Sequence, residues 1–590
     1  MSFLYTDEKN VQVILYLLKH HSIKHVIASP GSTNTALVSS MQQDPYFIMY
    51  SSVDERSAAY MACGLAAELG EPVVISCTGA TASRNYLPGL TEAYYRKLPV
   101  LAITSMQSPG RIGHHIAQVI DRSSMPNDVA KLSLTLPIVK DKEDLWDCEM
   151  KVNKAILELS RNGGGPVHIN LPTTYSKPFN TKELPSFRVI NRISPNDDFP
   201  ILLGKVAVFI GSHKNWSSKA EKALEDFCAL NDAAVFCDHT SGYHGKNRLL
   251  YSLSAAQTLF SQTDFLPDVL IHIGEITGDY ATKKMAGKEV WRISEDGEIR
   301  DPFRGLRYVF DMTEASFFEA YSFNDSKKST LRNYLPTMRQ KGYYHDLNKH
   351  LNSLRDKVSG LPFSNIWIAS KLSKKIPENS TIHFGILNSL RSWNFFELPS
   401  SVTTASNVGG FGIDGGLSSL VGASLANSDK LCFAVIGDLA FFYDINVLGN
   451  RHVGNNIRIL LVNNGKGTEF RLYNHQDAYF GKAADEYVAA AGHFGNQSPK
   501  LVKDFAINLG YEYLTASSKE EFEATYERFI TPKILDKPII FEVFTDSTKE
   551  SEALEKIQTL ISSPNIQAKQ YAKKILGNTG VNTVKRIIKR

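Results

Sequence analysis

Two apolar runs in the C-terminal half of the chain end in oxygen-bearing side chains. Phe433-Ala434-Val435-Ile436 leads into Gly437-Asp438-Leu439-Ala440, and Ile457 to Val462 leads into Asn463-Asn464-Gly465-Lys466-Gly467. Each run has the composition of a buried parallel strand. Asp438 offers a carboxylate, Asn464 an amide oxygen, and the turn at Lys466 a backbone carbonyl. Three hard oxygens suit Mg²⁺, which takes octahedral oxygen coordination and completes it with phosphate and water. Asp and Asn are also ordinary turn formers, so the same residues fit a plain strand tip.

The elements that would place these groups are legible. Position 464 lies 26 residues after position 438, which leaves room for one crossover helix, read here over Asp444 to His452. The result is a β-α-β unit with a ligand at each strand tip, where open α/β sheets bind. Far upstream, Tyr50-Ser51-Ser52-Val53-Asp54-Glu55 puts an acid at another strand end, followed by the small-residue helix Arg56 to Gly64.

Taken together the two stretches resemble the thiamine-diphosphate enzymes, and within them the menaquinone-pathway synthases that make 2-succinyl-5-enolpyruvyl-6-hydroxy-3-cyclohexene-1-carboxylate. The matching stretches are Ser29-Pro30-Gly31-Ser32, Val53-Asp54-Glu55-Arg56-Ser57, Cys77-Thr78-Gly79, Gln118, Ser406-Asn407, Gly412-Ile413-Asp414-Gly415 and Gly437-Asp438-Leu439 with Tyr443-Asp444-Ile445-Asn446. They extend over roughly residues 1–550. The resemblance implies thiamine diphosphate and Mg²⁺ as cofactors. It gives Glu55 the hydrogen bond to the aminopyrimidine ring, which needs a buried carboxylate. Asp438, Asn464 and the Lys466 carbonyl become the metal ligands. Ile413 lies under the bend of the cofactor and Gly412 offers it a carbonyl. Gly31, Ser32, Thr78 and Gly79 belong to the pyrimidine side. Gly437, Leu439 and Ala440 approach the diphosphate through backbone groups, with Asn388 and Ser389 nearby. Gln118 reaches the reacting centre. The resemblance also implies a homodimer, or a tetramer of two dimers, with Glu55 of one copy facing Asp438 of another.

The bulk properties agree with a soluble multidomain enzyme. At 590 residues, about three to four domains are expected on length alone. Hydrophobic residues make up 43%, and the net charge of +4 gives no ground for nucleic-acid binding. Six cysteines, none in a CxxC pair, read as buried thiols in a cytoplasmic protein. Met1 to Asn10 is polar, so no signal peptide is expected, and no apolar run is long enough for a membrane span.

Strand-like runs alternating with helical ones predict an α/β protein of three doubly wound parallel-sheet domains. Residues 1–185 form the pyrimidine-binding domain. Ser176 to Asp198 reads as a polar linker. Residues 199–345 form a Rossmann-like middle domain that lacks GxGxxG and so should hold no dinucleotide, with a polar linker over Asn324 to Gln340. Residues 346–550 form the diphosphate-binding domain. Residues 551–590 form a basic helical tail carrying Lys569, Lys573, Lys574, Lys585, Arg586, Lys589 and Arg590, read as a solvated or interface helix, with an anionic membrane surface as the alternative.

The substrate side departs from the resemblance. The synthases hold two polyanions with several Arg and Lys, the side chains suited to carboxylates. Here Thr33, Gln107, Val408 and Trp393 stand where arginines would, and Asp279 and Tyr280 replace a Lys-Arg pair. Arg84 and Arg111 are basic side chains that could hold a carboxylate or phosphate, or be surface charges. His114 and His115 could shuttle protons or simply face solvent. The expectation is therefore a decarboxylase or carboligase. A small 2-oxoacid donor loses CO₂, and the resulting enamine passes to a proton or to an acceptor, with a sugar or sugar nucleotide considered. The alternatives are a divergent menaquinone-pathway synthase using 2-oxoglutarate and isochorismate, and a catalytically silent paralogue.

Overall fold

The structure is a computed structural model that describes residues 4–174, 178–214, 216–257, 265–279, 281–322 and 342–561. The expected linker over Asn324 to Gln340, Tyr280, and the tail beyond Ile561 lie outside the described residues. Contacts divide the chain into two compact units, Met1–Ser194 with Gly297–Val309, and Pro195–Asp296 with Phe310–Arg590.

The first unit is built on six strands: β1 (His25–Ala28), β2 (Ile48–Ser51), β3 (Val73–Cys77), β4 (Val100–Met106), β5 (Leu132–Thr135) and β6 (Val167–Pro172). Their order is β2-β1-β3-β4-β6-β5, and every pairing is parallel. The central strands are buried along their length because helices cover both faces. The helix Lys9–His20 packs Val11, Ile14, Leu15 and Leu18 on one face. The helix Glu55–Leu69 packs Ala58, Ala59, Ala62 and Ala66 on the other. Small residues bring this second helix close to its neighbour Leu87–Tyr95: a Cβ on Gly89 would lie 2.5 Å from Ala59 Cβ. Asp54 caps the helix by accepting from Arg56 N–H, and Gly70 ends it in the left-handed region.

Part of the expected linker is structured. β7 (Asn191–Ile193) lies inside Ser176 to Asp198, and Thr181 bridges Tyr5 antiparallel. Asn153 accounts for the order, since its side chain bonds both Arg188 C=O and Ile190 N–H.

The middle sheet adds β8 (Val206–Ile210), β9 (Ala234–Cys237), β10 (Arg248–Leu250), β11 (Val269–Ile273), β12 (Glu289–Ile293) and β13 (Leu306–Phe310). Within the second unit its strands run β10-β9-β8-β11-β12, all parallel, while β7 and most of β13 are grouped with the first unit. This is the doubly wound order whose crevice opens between β8 and β11. There the backbone closes on itself: Gly211 N–H donates to Ile273 C=O, and a Cβ on Gly211 would lie 1.9 Å from Glu275 O.

The last sheet comprises β14 (Thr381–Phe384), β15 (Thr403–Ser406), β16 (Cys432–Gly437), β17 (Ile457–Asn463), β18 (Glu512–Ala516) and β19 (Ile539–Phe544). Its order, β15-β14-β16-β17-β19-β18, repeats that of the first sheet, again wholly parallel. Between β16 and β17 the helix starts earlier than the expected Asp444. It spans Asp438–Asp444 and tightens into a 3₁₀ segment, Ile445–Gly449. The residue that follows the tip of β16 is thus also the first residue of the helix.

Candidate functional site

In the first unit the carboxyl ends of β1, β3 and β4 converge. A Cβ on Gly31 would sit 2.4 Å from Thr78 Cβ, so only glycine permits this approach. Thr33 ties the tips together: its hydroxyl bonds the Thr78 hydroxyl, donates to Ser105 C=O at 3.2 Å, and accepts from Gly79 N–H at 3.3 Å. The Gln118 carbonyl lies 3.3 Å from a Cβ built on Gly79, which brings the Gln118 loop onto the same turn. Ser32 and Gln118 are exposed. Gln118 and His115 both hold positive φ, 62° and 55°.

Glu55 opens its helix half-buried, and Asn85 donates to its Oε2 at 3.2 Å. Arg56 pairs with Asp54 at 3.7 Å, so it does not serve as the partner of Glu55. Arg111 donates to Gln107, and Arg84 to Asp121 C=O at 2.9 Å. Arg84, Arg111, His114 and His115 are exposed. Beneath the Thr78-Gly79 turn lies Arg122, 4% exposed, with Nη1 buried and unbonded. Burial lowers its pKa to about 10.

In the second unit Asp438 follows β16 at 6% exposure. Burial raises its pKa to about 7, although the backbone N–H groups of Leu439 and Gly465 favour the carboxylate. Asn464 holds its Oδ1 buried and without any hydrogen-bond partner. Lys466 turns its side chain to Asp485 at 3.0 Å, which leaves its backbone in the turn. Gly437 has nothing within 4 Å of where a Cβ would sit, and Gly409 and Gly410 are equally open. Leu439, Ala440, Gly412 and Ile413 are half-buried.

The helix Asn388–Trp393 stands beside this turn. In the amide orientation its surroundings require, Asn388 donates to Glu469 Oε2 at 2.8 Å and accepts from Glu469 N–H at 3.1 Å. Ser389 is buried at 4%. Trp393 is wholly buried against Phe384 and Val408 is 3% exposed, so the chain itself covers both side chains, as it does Thr33. Asp279 accepts from Ser252 at 2.6 Å, from Ala281 N–H at 2.8 Å and from Asn394 at 3.4 Å. Asp279, Lys284, Asn388, Arg391, Glu469 and His475 line a cavity of about 460 Å³. Among the described residues, no group of three or more His, Cys, Asp or Glu gathers for a metal, and no helix is long and apolar enough to cross a membrane.

The family description "Thiamine pyrophosphate enzyme, N-terminal TPP binding domain" matches residues 9–125. The chain is 32% identical to a 2-succinyl-5-enolpyruvyl-6-hydroxy-3-cyclohexene-1-carboxylate synthase of Phocaeicola vulgatus, over 93% of this chain and 98% of the relative. The chain belongs to the thiamine-diphosphate enzymes, close to these synthases. Synthases of the same name from Bacteroides fragilis and Bacteroides thetaiotaomicron are each 30% identical over 94% of this chain, covering 99% and 98% of their own lengths.

The residues present suit the groups this thiamine-diphosphate enzyme family implies. The open ground over Gly437, Gly409 and Gly410 fits an approach of diphosphate to backbone. The orphaned Asn464 Oδ1 and the buried Asp438 carboxyl fit a hard cation. Four supporting residues were not singled out from the sequence: Asn85, Arg122, Glu469 and Glu542. Glu542 had a signal, a lone acid inside the apolar run Ile539 to Val543. The others are ordinary polar residues in loops and short helices, and only their contacts distinguish them.

Proposed function

We propose that this enzyme decarboxylates a 2-oxoacid and transfers the remaining carbon fragment to an acceptor, using thiamine diphosphate and Mg²⁺. The observation that carries this reading is the buried, unbonded Asn464 Oδ1 in the turn beside Asp438. An amide oxygen without a donor is costly inside a protein unless a ligand satisfies it. Asp438, Asn464 and the Lys466 carbonyl would hold Mg²⁺. Gly437, Leu439 and Ala440 would meet the diphosphate with backbone N–H groups, and Gly31, Ser32, Thr78, Gly79, Gly412, Ile413 and Ser389 would surround the rest. When bound, thiamine diphosphate supplies a nucleophilic carbon and a sink for the electron pair left by CO₂.

Glu55 would hold a proton at the aminopyrimidine ring. In a single chain it is half-buried, with Asn85 as its hydrogen-bond partner. A second copy would finish its burial. Val53, Tyr60 and Met61 near it are 79%, 48% and 45% exposed, an apolar surface that supports a homodimer with shared active sites. Gln118, with His114 and His115 on the same loop, would face the substrate. Six free, buried cysteines support a reducing compartment such as the cytoplasm.

Two substrate readings have specific support. A small 2-oxoacid donor is supported by the absence of the arginines at Thr33, Gln107, Trp393 and Val408 and by the acid at Asp279. The synthase reaction, with 2-oxoglutarate as donor and isochorismate as acceptor, is supported by 32% identity across 93% of the chain. CO₂ release from a panel of 2-oxoacids, with thiamine diphosphate and Mg²⁺ present, separates them. Turnover of 2-oxoglutarate selects the second reading, turnover of pyruvate or a branched acid the first. Absence of thiamine diphosphate binding overturns both.

A further inference from the structure

We infer that Glu542 is a positioning residue for the cation turn, acting through Asn463. This inference rests on the metal-binding part of the proposed function. Glu542 lies at the centre of β19 with 0% exposure. Its Oε1 accepts from Asn463 Nδ2 at 2.7 Å and its Oε2 from the Tyr513 hydroxyl at 2.7 Å. Asn463 is the last residue of β17, and its own Oδ1 accepts from Gly465 N–H at 3.2 Å. The two hydrogen bonds fix both ends of the Asn463 amide, which fixes the turn Asn463-Asn464-Gly465.

The chain around the turn is held as firmly. Gln497 donates from Nε2 to Asn463 C=O at 2.9 Å and to Thr545 C=O at 3.0 Å. Gly465 sits at φ 75°, and a Cβ there would meet Gln497 at 3.1 Å. Within this frame, Asn463 consumes the local donors and Asn464 is left with none for its Oδ1. The first Asn of the pair serves the protein, so that the second is free to serve a cation. Glu542 is suited to holding the first, because its Oε1 accepts from the Asn463 amide nitrogen while Gly465 N–H meets the amide oxygen, which fixes which way the amide faces.

Mn²⁺ replaces Mg²⁺ in a direct test, titrated into the full-length protein with saturating thiamine diphosphate, free Mn²⁺ being read by electron paramagnetic resonance. Glu542→Ala and Asn463→Ser are expected to weaken Mn²⁺ binding about tenfold, the usual effect of losing a group that orients a ligand. Tyr513→Phe removes the other bond to Glu542 and is expected to stay within about twofold. Glu542→Gln keeps an acceptor for Asn463 while the Tyr513 hydroxyl turns to accept, so it should rescue most of the affinity. Melting temperatures without metal separate orientation from folding, and Asn463→Ser decides if Glu542→Ala does not fold. Unchanged Mn²⁺ binding in the first two variants overturns the inference alone, and so does equal weakening in all four. No Mn²⁺ binding by the unaltered protein overturns the metal assignment with it.

Discussion

Arg391 donates from Nη1 to Glu469 Oε1 at 2.9 Å, and both side chains are close to fully buried. Glu469 follows the turn Asn463-Asn464-Gly465 and Arg391 lies on the helix beside it. Arg391 also donates to Gly278 C=O at 3.1 Å, and Asn388 holds the other oxygen of Glu469. One ion pair therefore fastens three segments of the second unit. Removing one partner leaves a buried charge without this counter-ion. Glu469→Ala or Arg391→Ala is expected to cost about 3 kcal/mol, and replacing both with Leu and Met should recover most of it. Thermal melting of the two single variants and the double variant checks this.

Asp438 sets a pH dependence with a definite sign. Its folded pKa of about 7 lies above the ordinary 3.8, so between these values the folded state binds the extra proton. Without metal, stability falls as pH rises through that window, by on the order of 4 kcal/mol in total. Asp438→Asn has no such charge and should melt higher than the unaltered apoprotein at pH 8 but equally near pH 4. Mg²⁺ should restore the unaltered protein at pH 8 and not the variant. Equal melting curves across the range would disprove this.

Glu55→Gln keeps the shape and the contact with Asn85 but gives up the carboxylate. Turnover should fall at least about a hundredfold, the scale of general acid–base assistance. Thiamine diphosphate should still bind. CO₂ release and calorimetric titration report the two effects separately.

Arg122 carries a buried Nη1 with no bond and only a 3.5 Å contact from Nη2 to Ser105 C=O. Arg122→Met fills similar volume without a charge. The melting temperature should hold or rise, since replacing a poorly compensated buried charge by an apolar group is neutral or stabilising. A drop of several degrees would show that the guanidinium supports the turn above it.

All six cysteines are free and buried. Burial pushes the thiols of Cys63 and Cys237 up to about 11 and that of Cys77 to about 12, and raises those of Cys148, Cys228 and Cys432. The thiolate is the reactive form. A thiol reagent at pH 8 should therefore label the native protein slowly and the denatured protein at all six positions.

The sequence by itself determined the parallel α/β architecture and the polar residues that close two of its buried strands. Uninterrupted runs such as Phe433 to Ile436 and Ile457 to Val462 are buried at every position because both sheet faces are covered, and their composition shows this without coordinates. Asp438 and Asn464 were visible because acids and amides closing such runs are chemically conspicuous. Strands β5, β18 and β7 were not, although the equally short and exposed β2 and β15 were. β5 is half-buried throughout, β18 has mixed burial, and β7 sits in a polar stretch, so none has the apolar run that marks a core strand.

Only the tertiary structure decided which side chains remain available. The resemblance alone would set Trp393, Val408 and Thr33 facing substrate, yet packing buries each of them. Asn463 and Asn464 are identical neighbours in sequence. The fold gives one of them Glu542 and Gly465 as partners and leaves the oxygen of the other bare. The bond from Asn463 to Glu542 spans 79 positions of chain, and local propensity carries no information about partners at that distance.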